Sequence, residues 1–274
     1  MRVERHKINE PHIREIYEDR CERLPHLVRQ ARTDPDQLGL VIRAALQAAM
    51  CGSVVEPNVC EIVPYCQLAA QATGAVFAIK ASPNQEISVR LGEEEILYQS
   101  EVHHSITTPG RWISGCLLSL IVRDTQTIDC LCRCDPGNLR VSKRSPKYER
   151  LLAEALYTHF GTSESAGALF LEVLKTANPE EYYLPNVDLT IHIDIPVTRL
   201  ICFAITAEED FGDVLLEAIN DHKTYWERHG SPEDIDGLLA HWHLGAAALA
   251  HDLEVPFEID SEYLPTPLIR GECL

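Results

Sequence analysis

The chain has 274 residues, of which 45% are apolar and 24% are charged, and its 42 acidic and 24 basic side chains give a formal net charge of −18. This composition lies far from that of disordered chains. A chain of this size buries roughly 70–75% of its unfolded surface, which predicts a single domain over residues 1–274, or two closely fused ones. The negative charge argues against nucleic acids and anionic membranes as partners, because both are themselves negative, and leaves a basic partner open.

The N-terminus and the lack of a long apolar run indicate the cytoplasm, where cysteines are expected to be reduced. Residues 1–20 are charged throughout, where a secretory signal peptide would be apolar, and no run approaches the ~18 consecutive apolar residues needed to span a bilayer. The ten cysteines stand in a long chain with an adequate core, so most are expected to be reduced thiols that act as small apolar side chains.

The first third of the chain is predicted to be helical. The dipeptides Glu10-Pro11 and Asp34-Pro35 each place a capping acceptor before a proline at the first helical position. These two helices are expected to end near residues 32 and 51. A third helix follows Asn58 and runs to residue 81, with Pro64 either kinking it or shifting its start.

Residues 86–99 break the helical pattern. Apolar side chains occupy every second position before Gly92, at 87, 89 and 91, and again after it, at 96 and 98. This period of two around a glycine turn predicts a β-hairpin.

Helical spacing returns after the hairpin, in residues 109–124, 127–134, 145–160, 163–177, 182–206, 208–229 and 231–253. The length of the 182–206 segment favours a buried helix that is kinked or interrupted near Pro196. Ser231-x-x-Asp234 resembles a capping box, and the short connection before it predicts that the last two helices form an antiparallel pair. The proline-rich tail is expected to pack back on the bundle. The fold class is therefore mainly α, a single-domain bundle of antiparallel helical hairpins with one small β-hairpin.

The common catalytic motifs are absent from the sequence, including the P-loop, the G-x-G-x-x-G loop, the H-E-x-x-H helix and the G-x-S-x-G elbow. We therefore predict no catalytic residue, no metal site and no cofactor. Cys130, Cys132 and Cys134 form C-x-C-x-C, but no second pair completes a tetrahedral zinc site, so buried thiols are the favoured interpretation.

Histidines and aromatic residues cluster in the last two predicted helices. His241 and His243 would diverge by about 200° around a helix, unlike the i, i+4 pairs that bind zinc, so hydrogen-bonded or surface histidines are favoured. Tyr225-Trp226 is expected to anchor its helix in the core rather than to form a binding hot spot.

Acidic side chains are concentrated in the C-terminal quarter, since residues 208–274 carry 16 Asp and Glu against three Lys and Arg. Acidic groups at helix N-termini complement the helix dipole, which explains part of this excess. The rest would steer a basic partner and hold it by complementary charge. The predicted partner-binding residues are Glu93, Glu94, Glu95, Glu208, Glu209, Asp210, Asp213, Glu233, Asp234 and Asp236.

Four blocks of sequence resemble the Imm49 (immunity 49) family of bacterial polymorphic-toxin systems. They are Val3-x-Arg5-His6, His222-Lys223-x-Tyr225-Trp226, Asp234-x-Asp236-Gly237-Leu238 and Ser261-x-Tyr263-Leu264-Pro265-x-x-Leu268. The resemblance implies a mainly helical, non-catalytic protein that binds and blocks a cognate toxin, with nucleases among the toxins linked to such families. A nuclease must carry positive charge to hold phosphates, so an acidic inhibitor would block it by steric and electrostatic occlusion.

Two other functions stay open at this point. One is a helical metal- or cofactor-binding enzyme of bacterial secondary metabolism, using the His and Cys side chains at 130–134, 192 and 241–251. The other is a helical scaffold or regulator that binds another cytoplasmic protein without any toxin.

Overall fold

The computed structural model describes residues 2–99, 106–139, 146–162, 165–177, 187–207 and 210–274. Its helices, in chain order, are α1 Glu10–Ala31, α2 Leu38–Val55, α3 Val63–Ala81, α4 Pro109–Ile121, α5 Thr125–Leu131, α6 Lys147–Gly161, α7 Gly167–Thr176, α8 Val187–Leu189, α9 Ile195–Thr206, α10 Phe211–His229, α11 His241–Asp252 and α12 Thr266–Ile269. Short 3-10 helices span Pro35–Gln37, Val59–Ile62 and Pro136–Asn138. The prediction of a mainly α fold is confirmed.

Short strands form two separate pairs in the described ranges. The strands are β1 Arg2–Val3, β2 Glu86–Leu91, β3 Glu94–Gln99 and β4 Asp260–Ser261. β2 and β3 form the predicted antiparallel hairpin. β1 and β4 pair in parallel and join the two ends of the chain. This second pair was not predicted, because two-residue strands leave no periodicity in the sequence.

The predicted starts of the first helices need small corrections. Asn9, not Glu10, caps α1, since its short side chain accepts from the backbone N–H of His12 at 3.5 Å. Asp34 is a cap as predicted, and its carboxylate accepts from the backbone N–H of Asp36 at 3.0 Å. It begins a 3-10 turn that leads into α2, so the α-helix starts three residues later than expected.

Two prolines lie in the first turns of their helices. Pro64 shifts the start of α3, because Asn58 caps the 3-10 turn Val59–Ile62 and α3 begins only at Val63. Pro196 lies in the first turn of α9, directly after the π-helical turn Thr190–Asp194 that joins α8 to α9. Proline is tolerated there because a first-turn N–H has no helical partner. The predicted interruption near Pro196 is thus confirmed within residues 187–206.

The predicted helix over residues 231–253 is wrong in its first half. Residues 231–240 form turns and α11 begins at His241. Ser231 and Asp234 do exchange backbone and side-chain hydrogen bonds, but no helix follows them. Gly237 lies so close to Trp226 that a Cβ atom there would be 2.4 Å from the indole ring, and this tertiary contact overrides the local capping signal. α11 packs mainly on α4 and α9, so the predicted pair with α10 is only a minor contact.

Three helical segments are long and apolar enough, by length and composition, to cross a membrane: Pro35–Val55, Val59–Ala81 and Val187–Thr206. The expectation of no such segment is therefore wrong. Within the fold, 61%, 72% and 50% of these windows, respectively, are buried. α3 is apolar on all sides because α2, α4, α5 and the hairpin surround it. The three apolar helical segments therefore supply much of the protein interior.

The C-terminal tail packs back on the helices, as predicted, with Tyr263, Leu264 and Leu268 fully or almost fully buried. Its end is held by a disulfide between Cys60 and Cys273, whose Cα atoms lie 5.1 Å apart. The other eight cysteines are free thiols, in line with the expectation that most are reduced.

Candidate functional site

Side chains from both ends of the chain, from α10 and from α11 meet in one cluster, which we call the His–aromatic cluster: His6, His222, Trp226, His243 and Tyr263. All are buried except Trp226, which is half-buried. The ring of Tyr263 lies 4.9 Å from that of His222 and 5.9 Å from that of His6, measured between centroids. Trp226 lies 6.2 Å from His222. The β1–β4 pair brings His6 next to Tyr263. The first and the last of the four sequence blocks that resemble the Imm49 family therefore lie together in space.

The hydroxyl of Tyr263 contacts both the backbone and the ring of His6. It accepts from the backbone N–H of His6 at 2.8 Å and lies within hydrogen-bond distance, 2.8 Å, of the Nδ1 of the same residue. Burial raises the pKa of Tyr263 to about 12, so the hydroxyl keeps its proton.

A backbone carbonyl determines which ring nitrogen of His222 carries the proton. Its Nε2 lies 3.1 Å from the carbonyl oxygen of Gly237, which can only accept, so Nε2 is the donor. Burial lowers the pKa of His222 to about 3, so the ring is neutral at pH 7 and its Nδ1 is a bare acceptor. Burial also holds the pKa of His243 well below its usual range. His243 packs edge-on against His222 at 5.3 Å.

Four buried ring nitrogens of this cluster have no hydrogen-bond partner among the described residues: His6 Nε2, His222 Nδ1, Trp226 Nε1 and His243 Nε2. Buried polar atoms are almost always paired, and unpaired ones are costly. Such a concentration indicates a place where ordered water or a polar ligand completes the hydrogen bonding.

Three members of the cluster, His222, Trp226 and His243, also line a cavity of about 150 Å³. The remaining wall residues are Leu189, Ile193, Asp194, Asp236, Leu239, Ala240, His241 and Trp242. No lysine or arginine of the described ranges is among them. The cavity therefore combines apolar and indole walls with two carboxyl groups and neutral imidazoles.

Asp194 reaches this cavity because it ends the π-helical turn, a feature that is frequent at functional sites. One of its carboxylate oxygens lies 3.4 Å from the hydroxyls of both Tyr148 and Thr190. Burial raises the pKa of Asp194 to about 6, so most of the group is ionised at pH 7. Sequence reasoning missed Asp194 as a site residue, since neither the π turn nor its neighbours are visible in the local pattern.

The C-x-C-x-C cysteines point to different neighbours. α5 ends at Leu131, so the predicted helix over 127–134 is shorter than expected. Cys130 lies against Gly74 of α3, whereas Cys132 lies against Gly161 of α6, and burial raises the pKa of both thiols. In the part of the chain that the structure describes, no three His, Cys, Asp or Glu side chains are arranged to hold a metal ion.

The acidic residues predicted to bind a partner occupy three separate places. Glu208 and Glu209 lie outside the described residues, and the other eight are exposed. The hairpin cluster lies at the C-terminal end of α1, because Glu94 pairs with Arg32 at 2.7 Å. The cluster around Glu233 lies at the N-terminal end of α1, because its neighbour Pro232 accepts from the backbone N–H of Asn9. α1 has 22 residues and is about 33 Å long, which separates these two clusters.

α10 separates the cluster of Asp210 and Asp213 from the cluster around Glu233. Asp210 and Asp213 lie at the first turn of α10, and Glu233 lies shortly after its end; the helix has 19 residues and is about 28 Å long. The role of these residues in partner binding stays a prediction. One partner that touches all three clusters would have to span about 30 Å.

A further acidic surface, which we call the acidic groove, lies between the segment after α11 and the α12 helix. It is open, has a volume of about 900 Å³, and is lined by Asp252, Glu254, Glu258, Asp260 and the guanidinium of Arg270. Asp252 also pairs with Arg123 at 2.9 Å. The first turn of α10 borders it, because the ring of Phe211 packs 5.1 Å from that of Phe257. Sequence reasoning missed these four carboxylates, since the tail was expected only to pack on the bundle.

The family model of Imm49, immunity protein 49, matches residues 56–268 of the chain, which confirms the family expected from the four sequence blocks. The matched range includes the four carboxylates of the acidic groove and His222, Trp226, His243 and Tyr263, whereas Arg270 of the groove and His6 lie outside it. Searches of curated proteins and of solved structures found no match.

Proposed function

The chain belongs to the Imm49 family of immunity proteins, and on this premise we propose that it neutralises a protein toxin by binding it in the cytoplasm, without catalysing a reaction of its own. The observation that carries the proposal is the family match over residues 56–268 of 274. The same match favours toxin neutralisation over a general scaffold and over a metal-dependent enzyme.

We propose the acidic groove as the place where the toxin docks. Four carboxylates line it; Asp252 pairs with Arg123, and Arg270 is the basic residue among the lining residues, so the groove keeps an acidic excess. It lies in the quarter of the chain that carries 16 acidic and three basic side chains. Such a surface speeds the encounter with a basic partner and fixes its orientation. A nuclease carries the phosphate-binding cations that would complement it, and its active site would then be covered sterically and electrostatically.

The experiment is co-expression of this chain with the toxin domain encoded beside it, followed by a viability count and co-purification at low and high salt. Rescue of the cells together with a stoichiometric complex supports the proposal. Death of the cells with no complex formed contradicts it.

A matched pair of variants then tests the groove. The triple variant Glu254→Gln, Glu258→Gln, Asp260→Asn removes three negative charges from the groove. The triple variant Glu15→Gln, Glu18→Gln, Glu22→Gln removes three from the exposed surface of α1, where no partner-binding residue is predicted. We expect the groove variant to associate at least ~10-fold more slowly at low salt and the α1 variant less than ~2-fold. Equal effects would exclude the groove as the docking site.

A further inference from the structure

We propose that the cavity lined by His222, Trp226 and His243 is a recognition pocket for one arginine side chain of the toxin. The identity of the partner rests on the proposed function. The chemistry of the pocket is argued from the structure alone.

The charge of the cavity favours a cation. Asp194 and Asp236 both line it, and no described lysine or arginine does so. From the described residues the carboxylate of Asp194 receives two long hydrogen bonds, at 3.4 Å from Tyr148 and Thr190, whereas a carboxylate offers about four acceptor positions. An anion would be repelled by the two carboxylates. A cation would complete their coordination.

One unpaired nitrogen of the cavity wall favours a ligand with N–H donors: the Nδ1 of His222 is an acceptor without a partner among the described residues, since its Nε2 proton is donated to the carbonyl of Gly237. The unpaired Nε1 of Trp226 is a donor, which a cationic ligand does not satisfy. A guanidinium carries five N–H donors in one plane, so it can serve imidazole and carboxylate acceptors at once.

The aromatic walls distinguish arginine from lysine. The indoles of Trp226 and Trp242 both line the cavity. A guanidinium is planar and weakly hydrated and stacks on such rings, whereas an ammonium is compact and strongly hydrated. The combination of flat aromatic walls with acceptors in several directions therefore selects the arginine side chain.

α10 connects the pocket with the acidic groove. Leu216 lines the groove and Trp226 lines the cavity, ten residues further along α10, which is a rise of about 15 Å along the helix axis. An interface of ordinary size, with about 800 Å² on each partner, is wider than this rise.

The pocket is tested first without any toxin. N-acetyl-arginine methylamide is titrated into the full chain, and its neutral analogue N-acetyl-citrulline methylamide serves as the control. We expect saturable shifts of the Trp226 indole N–H and of the His222 ring nitrogens in NMR spectra with the arginine probe. The citrulline probe should bind at least ~10-fold more weakly. Absence of shifts, or equal shifts with both probes, would overturn the pocket.

Two substitutions of the same kind locate the binding site. Asp194→Asn keeps the acceptor for Tyr148 and Thr190 but removes the charge, and should weaken binding of the arginine probe at least ~10-fold. Asp188→Asn, on the same segment but outside the cavity wall, should leave it unchanged. If Asp194→Asn does not fold, Asp236→Asn, an exposed wall residue, takes its place. Equal affinity of the wall variant and the control variant would overturn the proposal.

Binding of the toxin separates this proposal from the proposed function. If the toxin binds the wild type and Asp194→Asn equally well, the toxin is not the source of the arginine, while the proposed function stands. If the toxin binds neither protein, the proposed function fails, and the probe titration alone decides whether the pocket takes arginine.

Discussion

Lowering the pH from 7 to 5 is expected to destabilise the fold through the buried histidines of the His–aromatic cluster. Burial lowers the pKa of His222 to about 3 and holds that of His243 well below its usual range. In the unfolded chain both titrate near pH 6.5. Below that pH the unfolded chain takes up protons that the folded chain does not, so the free energy of unfolding falls as the pH falls.

The magnitude follows from the size of the shift. A buried histidine that stays neutral lowers the free energy of unfolding by about 1.4 kcal/mol for each pH unit below 6.5, so His222 alone costs about 2 kcal/mol at pH 5. His243 acts in the same direction. Asp194 acts in the opposite direction: burial raises its pKa to about 6, so acidification to pH 5 relieves the cost of its ionised form by about 1.3 kcal/mol. The expected net loss is about 2 kcal/mol or more, out of the 5–15 kcal/mol typical of a folded protein.

Urea unfolding followed by circular dichroism at pH 7, 6, 5.5 and 5 measures this slope. His222→Gln keeps a side-chain donor for the carbonyl of Gly237 but does not titrate, so the slope below pH 6.5 should become shallower by about 1.4 kcal/mol per pH unit. His26→Gln, at an exposed position, is the control and should leave the slope as it is. A wild-type stability that is constant between pH 7 and 5, or an unchanged slope in His222→Gln, would refute the reasoning.

Two further predictions concern stability. Gly237→Ala should lower the free energy of unfolding by about 3 kcal/mol, because the new Cβ would lie 2.4 Å from the indole of Trp226. Its control, Gly39→Ala, meets only an ordinary contact at 3.6 Å and should be neutral or slightly stabilising. Thermal unfolding compares the two variants, and equal losses of stability would contradict the packing argument. Replacing Cys273 by Ser should remove up to about 5 kcal/mol relative to the oxidised chain, because the bond to Cys60 closes a loop with a sequence separation of 213 residues. Urea unfolding with and without reductant measures this, and equal midpoints for the oxidised and reduced wild type would speak against a stabilising bridge.

Much of the local structure was predictable because it depends on short-range periodicity. The alternation around Gly92 predicted the hairpin at 86–99, and the spacing of apolar residues predicted most of the helices. Pro196 predicted the break in the 182–206 segment, but not the π-helical turn that places Asp194 at the cavity. That turn depends on packing against neighbouring elements, which a local pattern does not contain.

The candidate site was predictable only in part. The blocks around His6, His222 and Tyr263 indicated the family, yet each histidine by itself favoured an ordinary buried or surface role. The predicted acidic clusters, in turn, lie about 30 Å apart, because α1 and α10 keep them separate. The acidic groove was missed, since its carboxylates come together only where the tail folds over α10.

By itself, then, the sequence determined the fold class, the order of most elements and the family, because these follow from composition, periodicity and short motifs. Only the tertiary structure decided where the last long helix begins, that Cys60 meets Cys273, and that His6 and Tyr263 share a hydrogen bond across 257 positions of the chain. The physical reason is the same in each case. A contact between distant segments is stabilised by burial and hydrogen bonds that exist only after the chain has folded, so the local sequence pattern does not predict it.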